Sequence, residues 1–329
     1  MLTAAVIGCG YWGPNIIRNL YYNNKVNLKY VVDFDHKRLE YITNLYPNIT
    51  PLTNINTVLT DDSVDFVAIV TPINTHFDLI SSFLLNNKHV FVEKPLCTSY
   101  SDALKIENIL NEKKLNLMVG HVFTYNSSVV KIKEIIDSQE LGEIQYISSQ
   151  RLNLGLFNPH YNVVWDLAPH DFSILFYWFD SMPVKIKASG SSHVINGIED
   201  IASLSVELEN GISVYLQYSW LDPNKVRKMT VVGSKKMLVY DDVSAIEPIK
   251  IFNKGVDIPS YYDTFDAFRC SYRYGDIVIP RIMEVEPLKS ELDDFINSIY
   301  TGGSTKNGVV PGKNVVKAIE DSIFAMRKE

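Results

Sequence analysis

Gly8-Cys9-Gly10-Tyr11-Trp12-Gly13 follows the apolar run Leu2–Ile7 and leads into a helical pattern, Pro14–Tyr21. The spacing G-x-G-x-x-G carries meaning only in such a strand–turn–helix setting. There the first glycine permits the tight turn, the second lets a pyrophosphate reach the backbone, and the third lets helix and strand pack closely. The helix N-terminus then faces the phosphates with its unpaired N–H groups. A strand passing straight into a helix opens a β-α-β unit, so the hexapeptide commits the N-terminal part to a parallel sheet.

The following pattern continues that sheet. Leu28–Asp33, Phe66–Val70, His89–Val92 and Leu115–Val119 read as strands, with helices from His36, over Thr75–Leu85 and over Tyr100–Glu112. The expected fold class is α/β, with a doubly wound parallel sheet over residues 1–120. After Gly120 the pattern changes. Helices are expected at Ser128–Ser138 and Trp165–Phe179, and strands at Ile144–Leu152, Val184–Gly190, Ile201–Leu208, Ile212–Ser219 and Lys228–Val232. Val206, Leu208, Ile212, Val214 and Leu216 alternate with polar residues, as in a strand pair with one buried face. Asn210-Gly211 between them suggests a type I′ turn. Residues 121–329 thus read as an α+β domain with a mixed, mostly antiparallel sheet. Its C-terminal helices, one striped by Leu288, Leu292, Phe295 and Ile299 and one starting near Lys313, could pack back on the first domain.

Several residues fall at the C-terminal ends of the parallel strands, where ligands bind in open sheets. Asp33 stands 20 positions after Gly13. Its carboxylate suits a ribose hydroxyl and would repel a 2′-phosphate, which favours NAD over NADP; a loop-start cap is the plainer alternative. His36, Lys37 and Arg38 keep NADP open. Thr71, Pro72, Asn74 and His76 are cofactor-side candidates, although His76 could equally make a structural hydrogen bond. Glu93-Lys94-Pro95 occupies another strand end, where a lysine can stabilise charge developing on a substrate oxygen.

Asp166 and His170 lie four residues apart on one expected helix and share a face. Pro169 suits a first turn, which places the helix start near Asp166. A carboxylate can orient an imidazole, and histidine is suited to accepting a hydroxyl proton. On pattern alone, the plainer reading is a capping Asp and a packed His. Arg151 could fork onto a carboxylate or phosphate, or simply face solvent from a strand. His160, Tyr161 and Asn162 are further substrate candidates. Lys225, Arg227 and Lys228 could meet a diphosphate or form a charged hairpin.

Together, the glycine loop, Thr71-Pro72 through His76, Glu93-Lys94-Pro95 and Asp166-x-x-x-His170 resemble the Gfo/Idh/MocA family of sugar and polyol oxidoreductases. The resemblance spans essentially the whole chain. It implies a Rossmann domain followed by a mixed sheet that serves in substrate binding and oligomer contacts. It implies Lys94, Asp166 and His170 as the catalytic residues and gives the Asp/His pair a functional reading. It extends the cofactor set to Gly8, Gly10, Tyr11, Trp12, Gly13, Asp33, Thr71, Pro72, Asn74, His76, Glu93 and Lys94, with no metal. Gly10-Tyr11-Trp12-Gly13, Trp165–Asp171 and Ser219–Pro223 are similar to a nucleotide-sugar branch of 3-dehydrogenases.

Composition narrows the remaining classes. With 31 basic and 38 acidic residues the formal charge is −7, which offers no general attraction to nucleic acid or an anionic membrane. Cys9, Cys97 and Cys270 are widely spaced, as free thiols in a reducing cytoplasm would be. Met1 leads directly into a strand pattern, so no secretory signal is expected. No apolar run approaches the roughly 18 residues of a membrane helix. The expected partners are a small sugar or nucleotide sugar and further copies of the chain, as a homodimer or homotetramer.

Overall fold

The computed structural model describes residues 1–257 and 271–327; Cys270 lies outside the described residues. The chain divides into two compact units: residues 1–126 with 285–320, and residues 127–284 with 321–329.

The first unit opens with β1 (Leu2–Ile7), α1 (Gly13–Tyr21), β2 (Val26–Val32), α2 (His36–Leu45), β3 (Thr50–Leu52), α3 (Asn56–Thr60) and β4 (Phe66–Ile69). It continues through α4 (His76–Leu85), β5 (His89–Glu93), α5 (Tyr100–Lys113) and β6 (Leu117–Gly120). The six strands pair in the order β3-β2-β1-β4-β5-β6, all parallel. Every residue of β4 and β6 is buried, as expected of strands covered on both faces. Short β3 and α3 carry too little periodic pattern to be read beforehand.

Later in the chain, α8 (Pro287–Thr301) returns to this unit. Its Leu288, Leu292, Phe295 and Ile296 join the core of the first sheet, and Phe295 meets Phe66 edge-on at 5.4 Å between ring centroids. Burying one such side chain contributes about 1.5–3 kcal/mol, so α8 is anchored by this stripe. The final helix, α9 (Val309–Met326), begins four residues before the expected Lys313. Its residues through Glu320 belong to the first unit and those from Asp321 to the second.

The second unit contains α6 (Ser127–Asp137), β7 (Ile144–Leu154), α7 (Val163–Phe179), β8 (Pro183–Ser191), β9 (Ile201–Leu208) and β10 (Ser213–Ser219). It then adds β11 (Leu221–Gly233), β12 (Met237–Asp241), β13 (Ile249–Asp257) and β14 (Ser271–Val278). The sheet order is β14-β13-β12-β11-β7-β10-β9-β8. Among the described residues, only the β7–β10 pairing is parallel. This mixed, mostly antiparallel sheet completes the expected α/β architecture. Ala202, Leu204, Val206 and Leu208 of β9, with Val214 and Leu216 of β10, are buried. Ser203, Ser205, Glu207, Tyr215 and Gln217 are exposed on the opposite face. Tyr218, out of step with Tyr215, is buried.

Two local expectations need correction. The β9–β10 turn is not type I′, because only Gly211 among its residues has positive φ, at 82°. Gly211 N–H bonds Leu208 C=O at 2.9 Å, and Leu208 N–H bonds Ile212 C=O at 3.0 Å. The loop is therefore a three-residue Glu209-Asn210-Gly211 connection, a type I turn with glycine in the left-handed position. Secondly, α7 starts before Asp166. Asn162 is its N-cap, accepting from Trp165 N–H, and Pro169 lies inside the helix. Proline at that position removes one intrahelical donor.

Lys225, Arg227 and Lys228 do not form a hairpin tip but lie within β11, beside an irregularity between Leu221 and Val226. Among the described residues, no helix is long and apolar enough to cross a membrane.

Candidate active site

The glycine loop closes against its own unit with little room to spare. Gly8 has φ of +103°, and a Cβ there would meet Val70 O at 2.6 Å. A Cβ on Gly13 would meet Gly8 O at 2.6 Å. A side chain at Gly10 would encounter only Arg38 Nη1, 3.8 Å away. The first and third glycines are thus required by packing, while the second leaves open space above the loop. Those are the features a bound pyrophosphate needs, and the residues present fit a dinucleotide. Tyr11 is exposed and Trp12 partly so.

Asp33 faces this loop. Its Oδ2 accepts from Cys9 N–H at 2.7 Å and its Oδ1 from Asp35 N–H at 2.9 Å. Arg38 Nη1 stands 3.7 Å from the same carboxylate, and Arg38 is half exposed. The cap-like alternative thus describes real contacts, made to the glycine loop itself as well as to the loop after β2. Cys9 is buried beside Asp33, and burial foremost pushes its thiol up to about 12. Burial does the same to Cys97.

At the next strand end, Thr71 Oγ1 meets Thr75 Oγ1 at 2.6 Å; Pro72 and Asn74 are exposed. His76 is buried, and both its ring nitrogens are engaged. Nδ1 lies 2.9 Å from Pro95 O and Nε2 2.9 Å from Thr71 O. Burial lowers its pKa against the pull of these carbonyls. The structural alternative therefore describes His76: it ties the turn after β4 to the turn after β5. The Lys94–Pro95 peptide bond in that second turn is cis.

Glu93 ends β5. Trp12 of the glycine loop bonds its carboxylate through the side chain, and Lys94 N–H bonds Glu93 Oε2 at 3.3 Å. Glycine loop, Glu93 and Lys94 are consequently linked along one edge of the parallel sheet. Burial pushes the Glu93 carboxyl up to about 7, opposed by the Lys94 charge.

In the second unit, Asp166 and His170 are one turn apart on α7. Trp220 Nε1 donates to Asp166 Oδ2 at 3.0 Å. The sequence reading included Trp220 only as part of a run; a contact across 54 positions leaves no periodic signal. Asn162, a substrate candidate, is 8% exposed and caps α7, while its Nδ2 donates to Glu199 at 2.7 Å. Tyr161 lies near Asp166, and burial foremost raises its phenol. His160 is exposed.

Arg151 is neither solvent-facing nor open to a ligand fork. It is 4% exposed, and its Nε donates to Asp171 Oδ1 at 2.6 Å. Ser149 donates to the other oxygen at 3.0 Å. Asp171 neighbours His170 in sequence, but helical geometry turns it into the layer between α7 and the sheet. The signal that could have found the pair is an arginine on a buried strand position opposite an acid on an apolar helix face.

Comparison with known proteins agrees with this architecture. Residues 2–121 match the model of an oxidoreductase family with an NAD-binding Rossmann fold, and residues 129–239 match the GFO/IDH/MocA C-terminal domain. UDP-N-acetylglucosamine 3-dehydrogenase of Acidithiobacillus ferrooxidans is 24% identical over 262 residues, 78% of this chain and 76% of that protein. The solved structure of an enzyme of that name from the same organism superposes with a TM-score of 0.80 at 21% identity, covering 99% of this chain and 98% of the other. The 2,7-anhydro-N-acetylneuraminate hydratase of Escherichia coli is 27% identical over 151 residues, 46% of this chain and 40% of its own length. The chain likewise spans 40% or less of the other two leading curated relatives, both uncharacterized oxidoreductases. With both of its domain models matched in order, the chain belongs to the Gfo/Idh/MocA family of oxidoreductases.

Proposed function

We propose that the protein moves a hydride between a sugar ring carbinol and NAD, with C3 of a UDP-N-acetylhexosamine or of its uronic acid as the reacting position. The observation that carries this reading is the Asp166–His170 pair on α7, with Asp166 held by Trp220. Similarity to a UDP-N-acetylglucosamine 3-dehydrogenase over about three quarters of the chain supports the substrate class.

The residues that would hold the dinucleotide are Gly8 to Gly13 at the pyrophosphate and Asp33 at the ribose. The nicotinamide supplies a two-electron acceptor. His170 takes the hydroxyl proton as the carbinol C–H bond breaks, so the products are a ketone, the reduced cofactor and a protonated imidazole. Without a base, a costly protonated ketone would form. Lys94 hydrogen-bonds the reacting oxygen and stabilises its developing charge. Asp166 orients the site.

Turnover is followed by NADH absorbance with UDP-N-acetylglucosamine and its uronic acid. Because general-base assistance contributes about 10²–10⁴-fold, His170→Asn should lower kcat by that factor and leave NAD affinity unchanged. Lys94→Met should lower kcat as well. A His170→Asn variant turning over at the unmodified rate would overturn the mechanism. Reaction with a free polyol alone would leave the mechanism and remove the nucleotide sugar.

The second unit is the proposed substrate and assembly domain. Tyr146 and Tyr215, 6.3 Å apart, stand on the exposed sheet face with serines and glutamines. Such a face suits a second copy of the chain. Light scattering should give the mass of a dimer or tetramer, and a monomer at micromolar concentration would refute it.

A further inference from the structure

We propose that Glu93, Glu291 and His121 act as one positioning unit for Lys94, in which Glu93 is the carboxylate that answers the lysine, Glu291 is held as a neutral acid, and His121 is held as a neutral imidazole. All four residues belong to the first unit. The inference rests on the proposed role of Lys94 for its catalytic meaning, but not for the protonation states.

The sequence places the three around one strand end. Glu93 is the last residue of β5 and pairs in register with Gly120, the last of β6. His121 follows immediately. A Cβ at Gly120 would come within 3.2 Å of the Glu93 carboxylate, so glycine there gives that carboxylate its space. Glu291 comes from α8, where it shares the buried face with Leu288, Leu292 and Phe295. An acid on the apolar stripe of a helix is expensive to bury unless something answers it.

Very little answers it. Glu291 is 0% exposed. Asn307 Nδ2 reaches its Oε1 at 3.5 Å and also donates to His121 O at 3.2 Å. Among the described residues, Oε2 of Glu291 and both ring nitrogens of His121 have no hydrogen-bond partner. Native interiors leave few such groups, and each that persists calls for an explanation. The remaining charges facing Glu291 are Asp294 and Lys306, and they offset each other. Asp294 accepts from Lys306 N–H at 3.2 Å and from Tyr125 Oη at 2.5 Å, while Lys306 Nζ sits 4.4 Å over the Tyr125 ring.

Two neighbouring buried carboxylates cannot both be ionised cheaply, so one keeps its proton. Burial and the charge of Glu93 drive Glu291 well above the usual carboxyl range. Glu93 is pushed up only to about 7, because Lys94 opposes its burial. Burial, with the Lys94 charge, drives His121 down to about 3. Above about pH 7 the outcome is a negative charge on Glu93 answering Lys94, with Glu291 and His121 neutral beside it. Trp12 connects this cluster to the glycine loop through Glu93.

Thermal melts across pH test this without substrate. An acid whose pKa is higher in the folded state binds more protons there, so stability falls as pH rises from about 4.5 towards the folded value. Glutamine removes that penalty. The melting temperature of Glu291→Gln minus that of the unmodified protein should grow steadily from about pH 5 to about pH 8. For Glu93→Gln the gain should level off near pH 7. In turnover, Glu93→Gln should lose an ionisation near pH 7 from the kcat/KM profile, and Glu93→Asp should restore it. A difference at position 291 that does not change with pH overturns the proposal, as does a kcat/KM profile that Glu93→Gln leaves unchanged. If Glu291→Gln yields no folded protein, Glu291→Met is melted instead, and failure of both neutral variants also overturns it. Inactivity towards every sugar combined with the expected melts would remove only the proposed function.

Discussion

Each unit buries charge beside its candidate residues, and the two do so in opposite ways. In the second unit, Arg151 and Asp171 are almost fully enclosed, the acid's two oxygens being taken by Arg151 Nε and Ser149 Oγ. In the first unit, Glu291 and His121 are equally enclosed but retain polar atoms without partners among the described residues. A closed pair cannot change its state cheaply, because removing either member strands the other. An open cluster instead keeps its members neutral, because burial penalises their charged forms. Burial is thus met by pairing of opposite charges under α7 and by neutral forms beside Glu93. The Arg38–Asp33 contact, exposed on its arginine side, is a third case, in which solvent weakens the attraction.

The largest effect should come from breaking the closed pair. Arg151→Met would leave Asp171 buried and unanswered, at a cost of about 3–5 kcal/mol in urea denaturation. A loss under about 1 kcal/mol would show that the pair is not structural. Such a result would return Arg151 to the substrate candidates.

The open cluster sets the next effect, through pH. His121 is folded with its pKa near 3, below the roughly 6.5 of an unfolded histidine. The unfolded chain therefore binds the extra proton below about pH 6.5, and stability is lost as pH falls. Between about pH 8 and pH 5.5 the unmodified protein should lose about 1.4 kcal/mol relative to His121→Gln. Equal losses in both proteins would mean that His121 titrates normally.

The exposed contact should matter least for folding and most for selectivity. NAD is expected to bind more tightly than NADP, and Asp33→Ala should narrow the gap by under tenfold, about 1 kcal/mol. Calorimetric titration reads both affinities. Tighter NADP binding by the unmodified protein would make Arg38, not Asp33, the dominant group.

Local patterns already determined much of this protein. Periodicity and the glycine spacing specified five of the six strands of the first sheet, the longer helices between them, and a second sheet with one buried face, because each follows from contacts within a few residues. They were silent on β12 and β13, and on β14, most of whose residues are exposed and so carry no alternation. They set the start of α7 too late because Asn162, rather than Asp166, supplies the capping oxygen. Tertiary structure alone decided which polar residues are internal. Arg151 could face solvent or a ligand until Asp171 met it across 20 positions. The structural hydrogen bonds of His76 became visible only once Pro95 and Thr71 met its nitrogens. Glu291 drew no reading from the sequence, yet α8 carries it into the core beside Asn307. The physical reason is common to all three: a side chain's charge and partners depend on what burial removes from it, and burial is set by packing between segments that the local sequence does not encode.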